Sequence, residues 1–250
     1  MQIQLLGVKI NAVSKSQALY AVSQRIRQKR YTAIYTPNPI MVTHALRNGE
    51  FRHILNSAHL NLPDGVGLVL AAKLLGLPLT ERVAGIELGE ALLSLAEREG
   101  LRVFLLGAKP RVATLAAQKL RKKHPRLMIC GTHHGYFDEH ESPQICDMIA
   151  HSHADILLVC LGSPRQERWI AANRPAGVLV VAALGGSLDV WAGNVTRAPR
   201  VLSRLGLEWL WRMCLEPKRF SGLADIAVFL AAILRERLKS YKKGTPERVP

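Results

Sequence analysis

Residues 155–167, Asp155-Ile156-Leu157-Leu158-Val159-Cys160-Leu161-Gly162-Ser163-Pro164-Arg165-Gln166-Glu167, read as an apolar strand that breaks at a glycine turn and restarts as a helix. Such a junction gathers the unpaired backbone N–H groups of a helix N terminus into a nest the size of a phosphate. Gly162 and Ser163 belong to that nest, and Arg165 and Gln166 stand where they can add side-chain donors. The stretch predicts a strand-to-helix unit and a site for an anionic, nucleotide-linked small molecule.

The pattern repeats on either side of this stretch. Thr32 to Thr36, His59 to Leu62, Arg102 to Gly107, Leu127 to Gly131 and Val178 to Leu184 are further short apolar runs. Their near-continuous hydrophobicity suits parallel strands covered on both faces. Helical periods lie between them, such as Gly89 to Glu99, closed by Gly100, and Pro110 to His124, closed by Pro125. The expected fold class is α/β: a Rossmann-like layered sheet, mostly parallel, with helices on both faces.

After about residue 196 the strands stop, and two helical stretches follow, Arg200 to Leu215 and roughly Leu223 to Tyr241, divided by Glu216-Pro217. The expected division is an α/β core over 1–196 and a helical, basic C-terminal appendage over 197–250. The last helix carries Ile226, Ala227, Phe229, Leu230, Ile233 and Leu234, then turns basic at Arg235, Arg237, Lys239, Lys242 and Lys243. Two readings of it stay open. An interfacial helix gains roughly 1 kcal/mol per basic residue from an anionic leaflet; the alternative is a helix docked on the core or on a second subunit, with a solvated basic end. The stretch Leu223 to Leu234 contains Asp225 and is shorter than the roughly 20 residues a spanning helix needs. Met1 to Lys9 holds too short an apolar run for a signal peptide, so export is not expected.

At 250 residues and 48% hydrophobic content the chain can bury a sizeable core. A net charge of +15 points to a polyanionic partner: nucleic acid, an anionic bilayer or a diphosphate substrate. Nucleic acid fits poorly, because aromatic residues make up only 6% and are not interleaved with basic ones as stacking platforms require. Cys130, Cys146, Cys160 and Cys214 form no CxxC pair and read as reduced core thiols of a cytosolic protein. No GxGxxG dinucleotide fingerprint and no GxSxG nucleophile turn occur. His133 and His134, adjacent on a strand, are expected to point apart, and no metal site is expected.

Several strand ends carry residues suited to chemistry. In Tyr35-Thr36-Pro37-Asn38-Pro39 two prolines stiffen the loop, so Thr36 and Asn38 can be held at a strand's C-terminal edge, although Asn38 alone suits helix capping. Leu62-Pro63-Asp64-Gly65 is on its own a common turn, but at the same edge Asp64 can act as a general base toward a sugar hydroxyl. Arg82 can meet a diphosphate bidentately or pair with Glu81 at the surface. The turn at Gly107 can receive a nucleotide phosphate or ribose, and Gly185 in Leu184-Gly185-Gly186-Ser187 allows either close ligand approach or tight packing.

Thr36-Pro37-Asn38-Pro39, Pro63-Asp64-Gly65-Val66-Gly67, Arg82-Val83-Ala84-Gly85, Gly131 to Phe137, Gly162 to Glu167, and Arg197 to Arg200 through Leu207-Glu208-Trp209-Leu210, in that order, resemble the WecG/TagA/CpsF glycosyltransferase family from about residue 5 to 220. The resemblance implies an inverting, metal-independent transferase without a cofactor, acting at the cytoplasmic membrane face. It implies transfer of a sugar, most commonly N-acetylmannosamine, from a UDP-sugar donor to a polyprenyl-diphosphate-linked N-acetylglucosamine; some members use N-acetylmannosaminuronic acid or glucose. By carry-over, Asp64 is the base, with Thr36, Asn38, Arg82 and Gln166 around it. Arg212 and Arg219 of the appendage match arginines that meet the donor diphosphate, and Ser221-Gly222 stands where related chains continue with a further arginine. With no Asp-x-Asp pair, the leaving UDP must be met by arginine and helix N termini.

Overall fold

The computed structural model describes residues 1–196, 198, 199, 211 and 222–242. Six strands, β3 (Thr32–Tyr35), β4 (Leu60–Asn61), β5 (Arg102–Gly107), β6 (Met128–His133), β7 (Ile156–Cys160) and β8 (Val180–Ala183), form one sheet in the order β4-β3-β8-β7-β5-β6. Every pairing is parallel, with registers such as Ile34↔Ala182 and Leu158↔Ala182.

The apolar runs are unbroken because the sheet has a core on each face. β7 sends Leu157 and Val159 into one cluster and Ile156, Leu158 and Cys160 into the other. The first cluster is closed by α2 (Pro39–Arg47), α3 (Gly49–Asn56), α4 (Val66–Leu74), α7 (Ser142–His151) and α8 (Arg165–Ala172), through residues such as Val42, Leu55, Leu68, Ile149 and Ile170. The second is closed by α1 (Lys15–Arg27), α5 (Gly85–Glu99), α6 (Val112–Lys123) and α9 (Ser187–Trp191), through Val22, Leu92, Ala116 and Leu188. Ser14 and Gln17 close a capping box at the start of α1, and left-handed Gly100 ends α5.

One element departs from expectation. β1 (Gln2–Leu5) and β2 (Val8–Asn11) pair antiparallel across the turn Leu6-Gly7, apart from the parallel sheet. Their alternation, Gln2-Ile3-Gln4-Leu5 and Val8-Lys9-Ile10-Asn11, is the period of a half-buried strand, unlike the continuous apolar runs of the parallel sheet. The Asn11 side chain, accepting the Asn61 N–H at 2.7 Å, ties the hairpin to β4.

The C-terminal helix α10 (Gly222–Lys242) docks on the first core. Phe229 and Ile233 are 1% and 2% exposed and join the cluster that holds Met41 and Leu68. Arg47 Nη1 donates to Asp225 Oδ1 at 2.6 Å, His44 Nε2 lies 3.3 Å from Oδ2, and the Thr43 hydroxyl donates to the Asp225 carbonyl at 2.9 Å. The Arg237 guanidinium donates to the Leu74 carbonyl. A second stripe, Leu223, Leu230, Leu234, Leu238 and Tyr241, faces outward. The helix is thus docked on the core along one face and keeps an exposed apolar stripe on the next. The expected helix over 200–215, with Arg212, and also Arg219, lie outside the described residues apart from Trp211, whose indole N–H donates to the Thr196 carbonyl at 3.3 Å. Among the described residues no helix is long and apolar enough to cross a membrane.

Candidate active site

Because β4, β3, β8 and β7 are consecutive in the sheet, the turns that leave their C-terminal ends line one edge. That edge is where α/β sheets take their ligands. It brings together the turns carrying Thr36 and Asn38, Asp64, Gly185, and Gly162 with Ser163, as their positions at strand ends predict.

Backbone bonds fix these turns against each other. The Asp64 N–H donates to the Pro37 carbonyl at 2.8 Å, and the Val83 N–H to the Pro63 carbonyl at 2.8 Å. Asp64 Oδ2 accepts the N–H of Gly85, the first residue of α5, at 3.2 Å. A carboxylate there faces the positive end of the helix dipole. The missing side chain of Gly85 permits this closeness: a Cβ would stand 3.1 Å from Thr36 Oγ1 and 3.6 Å from Asp64 Oδ2. Thr36 and Asp64 therefore converge on one glycine. Thr36 is buried, its hydroxyl donating to the Ala183 carbonyl at 3.3 Å.

Asn38 caps α2, its Oδ1 accepting the Met41 N–H at 3.0 Å; its Nδ2 has no partner among the described residues. Arg82 stands just ahead of Gly85 with Nη2 3.8 Å from Glu87 Oε1 on α5. It does not pair with Glu81, whose carboxylate accepts the Lys15 N–H at 3.1 Å.

The glycines divide in two. At Gly107 a Cβ would lie 2.2 Å from the Cys160 carbonyl oxygen, which also accepts the Ala108 N–H at 3.0 Å, so the approach of β5 to β7 requires glycine there. At Gly162 and Gly185 no atom of the described residues lies within 4 Å of where a side chain would begin.

Arg165 and Gln166 both spend side-chain donors on groups of the protein itself. Arg165 donates from Nη1 and Nη2 to the Gly135 and Phe137 carbonyls, each at 2.5 Å, with its guanidinium 4.8 Å from the centre of the Phe137 ring. It fastens the loop after β6 to α8. Gln166 is buried: its Oε1 accepts the Gly185 N–H at 2.9 Å and its Nε2 donates to Glu167 Oε1 at 2.7 Å. It bridges the turns after β7 and β8. The His133 and His134 rings do not point apart; their centroids are 4.5 Å apart, because the chain leaves the strand at His133.

The buried Cys160 thiol is pushed up to about 12 by desolvation, which leaves it protonated and unreactive. Cys130, Cys146 and Cys160 are free thiols, and Cys214 lies outside the described residues. Two residues pass unnoticed in the sequence. Gly85 matters only through what folds against it, whereas Glu167 carries one signal: its helical spacing puts it on the face of Ile170.

A family model described as the glycosyl transferase WecG/TagA/CpsF family matches residues 3–243. Three relatives share the name N-acetylglucosaminyldiphosphoundecaprenol N-acetyl-beta-D-mannosaminyltransferase. The one from Bacillus spizizenii is 36% identical over 216 residues, 86% of this chain and 83% of its own. Its Bacillus subtilis counterpart is 34% identical over 231 residues, 91% and 88% of the two chains. That of Staphylococcus aureus is 30% identical over 244 residues, 96% and 95%.

Proposed function

The chain belongs to the WecG/TagA/CpsF family of glycosyl transferases, and from that premise we propose that it moves N-acetylmannosamine from a UDP donor to N-acetylglucosamine carried on a polyprenyl diphosphate, with inversion at the donor's anomeric carbon. The relatives' activity supports the sugar and the acceptor. The observation that carries the chemistry is Asp64, held by the Gly85 N–H at 3.2 Å beside the Thr36 hydroxyl on the open edge of the sheet.

Asp64 takes the proton of the acceptor hydroxyl as that oxygen bonds to the anomeric carbon. The bond from that carbon to the UDP oxygen breaks, and its electron pair leaves with UDP. A positioned base contributes roughly a hundredfold or more to such a step. The charge on the departing diphosphate is met by Arg82, by backbone N–H groups around Gly162 and Ser163, and by Arg212 and Arg219 of the appendage. No step draws on a metal, in keeping with a sequence that has no Asp-x-Asp pair.

A lipid-linked acceptor has to be met at a membrane surface. The exposed stripe of α10, with Leu70 and Leu74 of α4 exposed on the helix it docks against, supports peripheral binding at the inner face of the cytoplasmic membrane. Arg235 and Lys239 on the same helix add attraction to anionic headgroups.

The test is sugar transfer in EDTA from a panel of UDP-sugars to a polyprenyl-diphosphate N-acetylglucosamine analogue. Product from UDP-N-acetylmannosamine is expected, and Asp64→Asn is expected to bind donor normally while turning over roughly a hundredfold or more slowly. Undiminished turnover by a folded Asp64→Asn protein overturns the base assignment, and the absence of product from every donor overturns the reaction.

A further inference from the structure

Helix α8 carries a buried acid that the reading above leaves without a role. Glu167 is fully buried, at 0% exposure. Its Oε1 accepts the Gln166 Nε2–H at 2.7 Å, and the oxygen of the same carboxamide accepts the Gly185 N–H at 2.9 Å. Carboxyl, carboxamide and backbone thus form a chain from α8 to the turn after β8. Two residues before Gly185, the Ala183 carbonyl accepts the Thr36 hydroxyl at 3.3 Å.

This chain has a direction. Turning the Gln166 amide over would set its NH2 against the Gly185 N–H, which can only donate, and would take away the N–H that Glu167 Oε1 accepts, so both hydrogen bonds would be lost. The donor-only Gly185 N–H and the acceptor oxygen of Glu167 together therefore fix which end of Gln166 faces each.

We propose that Glu167 is a positioning residue of the transfer site: its buried carboxyl orients Gln166, and Gln166 in turn holds the Gly185 turn at the edge where Thr36 and Asp64 meet. Burial favours the neutral form of this acid. Its Oε2 has no hydrogen bond of acceptable geometry among the described residues, although the Ser163 hydroxyl lies close enough to act on the carboxyl. Of the two cations nearest in sequence, Arg168 is exposed and Arg165 is engaged with the Gly135 and Phe137 carbonyls. Tyr35, which donates to the Glu167 carbonyl at 3.3 Å from β3, is itself kept protonated by burial. A fully buried carboxylate that no cation among the described residues pairs with is costlier than the acid, and burial pushes Glu167 up from the ordinary carboxylate range against the opposing pull of Gln166 and Ser163.

The assignment rests on reading that edge as the transfer site, so its test has an arm independent of turnover. Glu167→Ala is expected to lower kcat/KM by roughly tenfold or more and to speed hydrogen exchange at the Gly185 amide. Glu167→Gln, whose side-chain oxygen can still accept from Gln166, is expected to restore both to within about threefold. In isotope-edited infrared spectra the wild type is expected to show a protonated carboxylic-acid band at neutral pH that Glu167→Gln lacks. Glu167→Gln as impaired as Glu167→Ala, Glu167→Ala with wild-type kinetics and exchange, or absence of the band each overturn the proposal. If Glu167→Ala does not fold, the kinetics of Glu167→Gln and the band decide. If the wild type transfers no sugar, the function reading fails, and exchange and the band still judge the clamp.

Discussion

Gly85→Ala adds one methyl group at the point where Thr36 and Asp64 converge. The new Cβ would stand 3.1 Å from Thr36 Oγ1, tighter than ordinary van der Waals contact at 3.4–4 Å, and 3.6 Å from Asp64 Oδ2. Thr36 must yield by a few tenths of an ångström, yet it is buried and its hydroxyl is held by the Ala183 carbonyl at 3.3 Å. Against that strain, alanine is the better helix former by up to about 1 kcal/mol. The two terms nearly offset, so stability should stay within about 1 kcal/mol and Tm within roughly 4 °C. Activity has no such compensation. A base must lie within about 2.6–3.2 Å of the oxygen whose proton it takes, and small misplacements are expensive. We expect kcat/KM to fall roughly tenfold or more, about 1.4 kcal/mol of barrier, in the EDTA transfer assay, with calorimetry on the same preparation. Wild-type kcat/KM would refute the placement of the reacting hydroxyl beside Gly85. A Tm lower by more than about 10 °C would refute the packing argument.

Phe229→Ala, which empties a 1%-exposed site where α10 meets the core, should destabilise the protein by about 3 kcal/mol or more, lowering Tm by roughly 10 °C in calorimetry; a negligible change would mean that α10 is not docked in solution. Changing Leu230, Leu234 and Leu238, 55%, 56% and 62% exposed, together to Gln should leave Tm nearly unchanged and abolish co-sedimentation with anionic vesicles; undiminished binding would remove the stripe from the membrane surface. The pH dependence of stability has a definite sign at Glu167. Its folded pKa is raised, so above the ordinary value of 4.5 the native state holds a proton that the unfolded chain has lost, and stability falls as pH rises toward the folded value and levels off beyond it. Glu167→Gln lacks that slope, so its Tm relative to wild type should climb with pH from about 4.5 upward, and a flat difference would contradict a neutral buried acid.

Some of this molecule is legible in one dimension. A strand buried on both faces must be apolar at every position, and Ile156–Cys160 and Val180–Ala183 are. A helix must repeat its apolar residues at its own period and end where glycine or proline stops it, as α5 does at Gly100. These are local consequences of where each side chain points, so element type, layer order and the motifs at strand ends follow from the chain alone. The hairpin of Gln2–Asn11 was written in the same code, in the alternation of half-buried strands.

Which polar groups meet is a different matter. β8 inserts between β3 and β7, pairing Ala182 with Ile34 and with Leu158, and only that insertion sets Thr36 against Ala183 and Gly185 against Gln166. Burial of Phe229 and Ile233 beside Met41 likewise divides α10 into a docked and an exposed face, which its composition alone left undecided. Sequence by itself determined the kind of elements and the family, because periodicity encodes burial residue by residue. Tertiary structure alone decided that Arg165 serves a loop, that Gln166 bridges two turns and that Gly85 brings Thr36 to Asp64, because hydrogen bonds between distant turns depend on strand order, and no local pattern records it.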